Sequence, residues 1–305
     1  MPIKPTFKIS VDREKCTLCQ ACVNICPEEI FRLQSGRVEI FEPGLCQVCG
    51  HCVAACKFDA ISHNHLPLKS CPLPSDEQTV SAGQLSRIFR SRRSVRNFTA
   101  KPVAKETIEE LVSIARWVPS SQNKQRVDWL VFDKESDITY LSGRVVEVLY
   151  SKAKLIQNKA LQPFVRLALG RSKFLEAQSS AHSFVGLYQQ LQAGQDPIFY
   201  NAPALLIAHG PKSYFGRDDA IYALYNMMLA AERMGLGTCQ IGYFIVALDN
   251  DAKLRQELNL PRGHLAQAAL ILGYPKHTFH RFVPRRAPII RWGSNKIGVT
   301  GGNHG

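Results

Sequence analysis

The spacing C-x2-C-x2-C-x3-C occurs twice within the first sixty residues, in "CTLCQACVNICP" from Cys16 and again in "CQVCGHCVAACK" from Cys46. Nothing else in the chain constrains its fold as much, because eight thiols this close in sequence need a partner that a hydrophobic core does not supply. A cubane of four irons and four sulfides needs one thiolate at each iron, so eight thiolates supply two cubanes with none spare. Three cysteines separated by pairs of residues wrap a loop around three corners of one cube. The fourth, on the helix that follows, points away and completes the other cube. That crossing assigns Cys16, Cys19, Cys22 and Cys56 to one cluster, and Cys46, Cys49, Cys52 and Cys26 to the second. Zinc also uses C-x2-C pairs. A zinc ribbon needs two pairs, however, and leaves the third and fourth cysteine of each run unexplained.

Residues 7–65 resemble a bacterial-type ferredoxin with two [4Fe–4S] clusters. "CPEEIFRL" and "CKFDAISH" hold equivalent positions after each run, an internal repeat that supports the resemblance. Between the runs, "IFRLQSGRVEIF" alternates around Ser35-Gly36 and predicts a hairpin. Lys57 stands where the family usually has proline, which Pro27 keeps in the first run. Proline is no ligand, so cluster binding stands, and the lysine charge is a lever on the nearby cluster's potential. His51 reads as a loop residue, since every iron already has its thiolate. Cys71 and Cys239 are left over and read as linker or packed thiols.

The chain has 305 residues, 45% of them hydrophobic, enough for one large domain or two smaller ones. Its net charge of +13 raises nucleic acid, a membrane surface or anionic ligands as partners. The dense clusters, "RSRRSVR" from Arg90 and "RFVPRR" from Arg281, lack interleaved aromatics and open no zinc finger or helix-turn-helix. No stretch approaches the ~18 apolar residues of a membrane helix. The start, "MPIKPTFKIS", lacks the apolar core of a secretory signal. Ten cysteines in such a chain favour metal ligation over disulfides. These features predict a cytoplasmic protein with no nucleic-acid or membrane partner.

The expected division is a cluster module over 1–65, a proline-bearing linker over 66–84 and a second domain over 85–305. That domain mixes helices and strands. "KETIEELVSIARWV" predicts an amphipathic helix burying Ile108, Leu111, Val112 and Ala115. "VDWLVFD" (127–133), "APALLIAHG" (202–210) and "LAQAALILGYP" (265–275) predict strands. "DDAIYALYNMMLAAERMG" (218–235) is apolar nearly all round, which predicts burial in the core or at a subunit interface. Residues 151–200 look helical and suggest no role.

The second domain lacks a G-x-G-x-x-G, a P-loop, an H-E-x-x-H and a G-x-S-x-G, which argues against nucleotide folds and hydrolases. Four anion- and amide-rich pieces stand out instead: "RRSVRNF" from Arg92, "PSSQNKQ" from Pro119, "QIGY" from Gln240 and "PRRAP" from Pro284. In this order they resemble the FMN-dependent nitroreductase family over roughly residues 85–290. The resemblance implies an α+β chain, with the ferredoxin-like domain followed by a three-layer α/β/α FMN domain. It places Arg92, Ser94 and Arg96 on the FMN phosphate, ribityl chain and flavin edge, with Arg93 beside them. Ser120, Ser121 and Asn123 would come from a partner subunit, since the family is homodimeric. Ile241, Gly242 and Tyr243 would offer backbone amides to the flavin, and Arg285 and Arg286 would close on the phosphate. Guanidinium forks suit phosphate, which they pair bidentately. Two departures, Arg126-Val127-Asp128 before Trp129 and Gly242-Tyr243 in place of Glu-Gly, fall on the substrate pocket.

Clusters carry single electrons and flavin accepts one or two. The expected protein is therefore an iron–sulfur flavoprotein oxidoreductase in which electrons from a ferredoxin-type donor cross two [4Fe–4S] clusters to FMN. The FMN reduces a small nitro, quinone or unsaturated acceptor; no side chain serves as nucleophile. The alternatives are NAD(P)H as donor with the clusters as outgoing carriers, and a non-catalytic electron-transfer subunit.

Overall fold

The computed structural model describes residues 7–74 and 80–293. Part of the expected linker, 75–79, and both chain ends lie outside the described residues. The N-terminal module runs β1 (Ile9–Val11), α1 (Ala21–Ile25), β2 (Phe31–Gln34), β3 (Arg37–Ile40), α2 (His51–Ala55) and β4 (Ile61–His63). β1 pairs with β4 and β2 with β3, both antiparallel. The β2–β3 hairpin turns at Ser35 and Gly36, both at positive φ, as a two-residue turn requires. Its core is small: Cys22, Ile30, Phe31, Val38, Val53 and Ile61.

The repeat is written into the backbone. Left-handed residues recur at Leu18 and Val48, at Gln20 and Gly50, and at Glu29 and Asp59. Only the Gly50 position is free of a side-chain penalty, so the other five hold a sparsely populated conformation that the surrounding loop must impose.

The second domain contains α3 (Ala82–Ser91), α4 (Lys105–Ala115), β5 (Asp128–Phe132), α5 (Glu135–Gln157), α6 (Gln162–Leu169), α7 (Arg171–Gln192), β6 (Ala204–Pro211), α8 (Gly216–Arg233), β7 (Gly237–Gln240), α9 (Gly242–Asn250), α10 (Ala252–Glu257) and β8 (His264–Gly273). The sheet order is β5-β6-β8-β7, antiparallel throughout. Strand alternation sends Leu205, Ile207, Ala269 and Ile271 into a core with α5, α7 and α9. Ala204, Leu206, Ala268 and Leu270 face the other way, onto α4 and α8. Three layers result, and their middle strands read as unbroken apolar runs because both faces are covered.

α8 buries one face in the core of its own chain. Ala220, Ala223, Leu224, Met227 and Ala231 pack inward, while Tyr222 and Tyr225 remain exposed on the single chain. Small residues let the helix approach the sheet, which leaves its bulkier side chains on the outer face. The region without an expected role, 151–200, holds the end of α5, all of α6 and all of α7; α7 pairs with α5, with Tyr150 stacked on Tyr188 at 3.9 Å.

Candidate cluster and flavin sites

Cys16, Cys19, Cys22 and Cys56 line one small cavity of the N-terminal module. Cys26, Cys46, Cys49 and Cys52 line a second. The fourth cysteine of each run thus stands with the first three of the other. Cys26 and Cys56 are the first residues past α1 and α2, in extended backbone, which carries each away from its own loop. Burial pushes the Cys22 and Cys46 thiols up, and Cys52 up to about 11, with neighbouring thiols adding to each shift. Four thiolates can crowd here only if a bound cation compensates them. Val48 N–H donates to Cys46 Sγ at 3.3 Å and Ala60 N–H to Cys56 Sγ at 3.2 Å.

In the second domain the 92–96 segment lies against the edge strand β7. Ser94 bridges Thr238, and Val95 N–H donates to Thr238 O at 2.9 Å. Gly237 is needed for this approach, since a Cβ there would stand 2.7 Å from Val95 Cγ2. Arg96, Ser94 and Arg92 all act on the Cys239 thiol, lowering its pKa against a larger upward push from burial. β7 then delivers the chain to Ile241–Tyr243 at the start of α9. Ile241 N–H is committed to Ala269 O, whereas α9 begins at Gly242 with no side-chain cap. Gly242 and Tyr243 therefore keep available N–H groups, and Ile241 does not.

Arg92 and Arg93 line a cavity of about 530 Å³ with Arg87, Arg233 and Arg281, against a single carboxylate, Glu232. Arg93 Nη1 donates to Arg90 O and Arg92 O, and its Nη2 to Arg281 O. Arg92 Nη1 and Arg93 Nε are buried with no hydrogen-bond partner among the described residues. Unpaired buried guanidinium nitrogens are costly, and an anion with several acceptor oxygens relieves them. The residues present therefore fit a phosphate.

Arg285 and Arg286 are exposed on irregular chain. No hydrogen bond or ion pair among the described residues joins them to Arg92–Arg96. Arg281, from the same basic cluster, lines the cavity instead. Arg87 and Arg233 also line it, and isolated arginines on helices carry no motif that would mark them in the sequence.

Ser120, Ser121 and Asn123 lie elsewhere. Ser121 N–H donates to Asp219 Oδ1 at 3.2 Å, at the start of α8, and Gln125 N–H to Ser120 Oγ at 2.9 Å. Glu232, beside the arginine cavity, is near the helix's other end. At 1.5 Å per residue the two ends stand roughly 20 Å apart. One chain does not bring the two halves of the expected flavin set together. Asn123 Nδ2 instead donates to Val48 O at 2.8 Å and Gln47 O at 3.2 Å, across to the cluster module.

A separate group joins β5, β6 and β8: Asp128, His209 and His264 present ligand-type atoms within 4.8 Å of one another. His209 Nδ1 and His264 Nδ1 are 3.0 Å apart. One donates and the other accepts, so the pair is satisfied without an ion.

A module with two four-cysteine cavities, joined to a three-layer domain with an anion-seeking arginine cavity, defines a two-part redox protein. Residues 89–274 match the family model for the Nitroreductase family, and residues 8–57 match that for a 4Fe-4S dicluster domain. The first match spans more than half of the chain, which belongs to the nitroreductase family. It is 27% identical over 196 residues to a chloronitrobenzene nitroreductase of Comamonas testosteroni, covering 61% of this chain and 85% of that protein. The N-terminal part is 38% identical over 56 residues to a ferredoxin of Methanothermococcus thermolithotrophicus, covering 18% of this chain and 93% of the ferredoxin. A nitroreductase with bound FMN from Bacteroides fragilis NCTC 9343 shares the fold, with a TM-score of 0.52 and 19% identity over 69% of this chain and 99% of its own.

Proposed function

We propose that the protein is an FMN-dependent, iron–sulfur oxidoreductase that moves electrons from a ferredoxin-type donor through two [4Fe–4S] clusters to a small nitro, quinone or unsaturated acceptor. The single observation that carries the flavin half is the pair of buried guanidinium nitrogens, Arg92 Nη1 and Arg93 Nε, without a hydrogen-bond partner among the described residues, on two of the five arginines that line one cavity. The crossed cysteine sets carry the cluster half. In this reading residues 1–65 are the cluster module, 66–84 the linker and 85–305 the flavin domain.

Bound FMN supplies the exchange between one- and two-electron chemistry. The chain's own residues bind and orient it. Arg92, Arg93 and Arg281 would pair the phosphate, Ser94 and Arg96 would approach from the edge of β7, and the N–H groups of Gly242 and Tyr243 would be available to the ring. Arg281 takes the late basic role expected of Arg285 and Arg286.

The site closes only with a second copy. Ser120–Asn123 and Arg92–Arg96 sit at opposite ends of α8, whose outer face exposes Tyr222 and Tyr225. A two-fold dimer with α8 antiparallel to its copy would set each end beside the other chain's complementary half. No described helix is long and apolar enough to cross a membrane, and the expected compartment is the cytoplasm.

Anaerobic stopped-flow reduction tests the donor. A reduced ferredoxin should bleach the cluster absorbance and then the flavin, and a nitroaromatic should reoxidise both. Flavin reduction by NADH or NADPH at comparable rate would overturn the donor assignment. No turnover with any small acceptor would make the chain an electron-transfer subunit.

A further inference from the structure

We infer that the two clusters are not equivalent: the one bound by Cys26, Cys46, Cys49 and Cys52 is the inner relay, clamped to the flavin domain by Asn123 and held at the higher potential by a hydrogen bond from His63. Electrons then enter at Cys16, Cys19, Cys22 and Cys56. This rests on the proposed function, because it takes the two cysteine sets as cluster ligands and the 120–125 loop as part of the flavin site.

The clamp is asymmetric. The two carbonyls that accept from Asn123 Nδ2, on Gln47 and Val48, lie between Cys46 and Cys49. Asn123 Oδ1 accepts from Gln125 Nε2 at 3.0 Å, which fixes the orientation of the amide. Val48 N–H in turn donates to Cys46 Sγ. A polar path therefore runs from a cluster thiolate to the flavin domain without a gap. In the other half of the repeat Val48 corresponds to Leu18, which is exposed beside an exposed Cys19. No hydrogen bond among the described residues joins that loop to the second domain. It faces outward, where an external carrier can reach it.

Each set accepts one backbone N–H, Val48 on Cys46 and Ala60 on Cys56, and Lys57 stands beside Cys56, but a side-chain hydrogen bond to ligand sulfur is found among the described residues on the inner set alone. His63 is 2% exposed. Its Nδ1 accepts from His65 N–H at 3.1 Å, so the ring proton sits on Nε2. Nε2 lies 3.4 Å from Cys46 Sγ and donates to it. Hydrogen bonds to ligand sulfur stabilise the reduced, more negative cluster and raise its potential. The repeat places Leu33 at the position equivalent to His63, and a leucine has nothing to donate. Each transfer moves one electron from the outer cluster, which is oxidised, to the inner one, which is reduced. No bond breaks and no proton moves. Two passages, each drawn from one oxidation of the external carrier, supply the pair the acceptor needs.

The test is an anaerobic potentiometric titration of the intact holoprotein, read by electron paramagnetic resonance of the reduced clusters. Wild-type protein should show two separated cluster waves. His63→Met, which keeps bulk and loses the donor, should shift the upper wave down and leave the lower one in place. His63→Gln, which keeps an N–H donor, should restore most of the upper wave. A His63→Met variant that moves only the lower wave, or neither, overturns the inference. If His63→Met loses iron and His63→Gln keeps it, the donated bond is what the site requires, and the inference stands. If both lose iron, the ring and not its bond is needed, and the tuning role falls. Asn123→Ala should speed amide exchange at Gln47–Cys49 and not at Thr17–Cys19; equal exchange in both loops would overturn the clamp. The cluster waves are read whether or not flavin is bound. Their failure therefore strikes this inference alone, while protein that binds no flavin strikes the proposed function.

Discussion

The N-terminal module closes on a core cluster of six buried residues among those described, one of them a cysteine, whereas the C-terminal domain covers both faces of a four-stranded sheet. The module keeps its ligands within two short runs. In the proposed reading the domain gathers its site from 92–96, 241–243 and the arginine cavity, with 120–123 supplied to a second copy. A unit with so small a core depends on what its cysteines hold, because buried apolar area alone does not offset chain entropy at this size. A unit with a full core folds first and binds afterwards. Iron removal and core truncation should therefore act on different halves of the molecule.

The largest effect expected is from iron removal. Stripping iron anaerobically with a chelator should unfold residues 7–65 while the second domain keeps its cooperative thermal transition, a contrast that hydrogen exchange read by mass spectrometry resolves. Leu206→Ala should do the reverse. Leu206 is fully buried between the sheet and α8, so truncation costs about 2–5 kcal/mol. The thermal midpoint of the second domain should fall while the cluster spectrum holds.

Smaller effects sharpen the comparison within the flavin domain. Arg92→Ala should weaken FMN binding about 10- to 100-fold, the loss of one charge-assisted contact worth about 1.5–3 kcal/mol, and leave iron content unchanged. Equilibrium dialysis against FMN measures it. The smallest effect belongs to the junction. Ser81 caps α3, accepting from Gln84 N–H while the Gln84 side chain accepts from Ser81 N–H. Ser81→Ala should cost about 1 kcal/mol in a thermal melt, with both cofactor complements intact.

What could be read from residue types alone follows the same divide. The cysteine spacing, the hairpin around Ser35–Gly36 and the amphipathic α4 are local patterns, and each has its expected counterpart in the fold. Strand ends moved by a residue or two, as with β6 at Ala204–Pro211 in place of 202–210, because pairing partners and not composition set where a ladder stops. His63 and Arg281 carried no sequence signal as site residues, and Asn123 was legible as a candidate flavin contact but not as a partner of the Cys46 loop. Their roles depend on β4 meeting the Cys46 loop, on the 120–125 loop reaching Val48, and on irregular chain folding back over Arg93, none of which leaves a spacing in the sequence. The orientation of α8 was half legible: its apolar composition predicted burial or an interface, and only the packing shows that Tyr222 and Tyr225 face away from the sheet.

The most direct measurement is the cofactor content of anaerobically purified protein. About eight iron and eight sulfide per chain, together with stoichiometric FMN, is the predicted result. Stoichiometric zinc in place of iron, or a colourless protein that takes up no FMN on reconstitution, would contradict it.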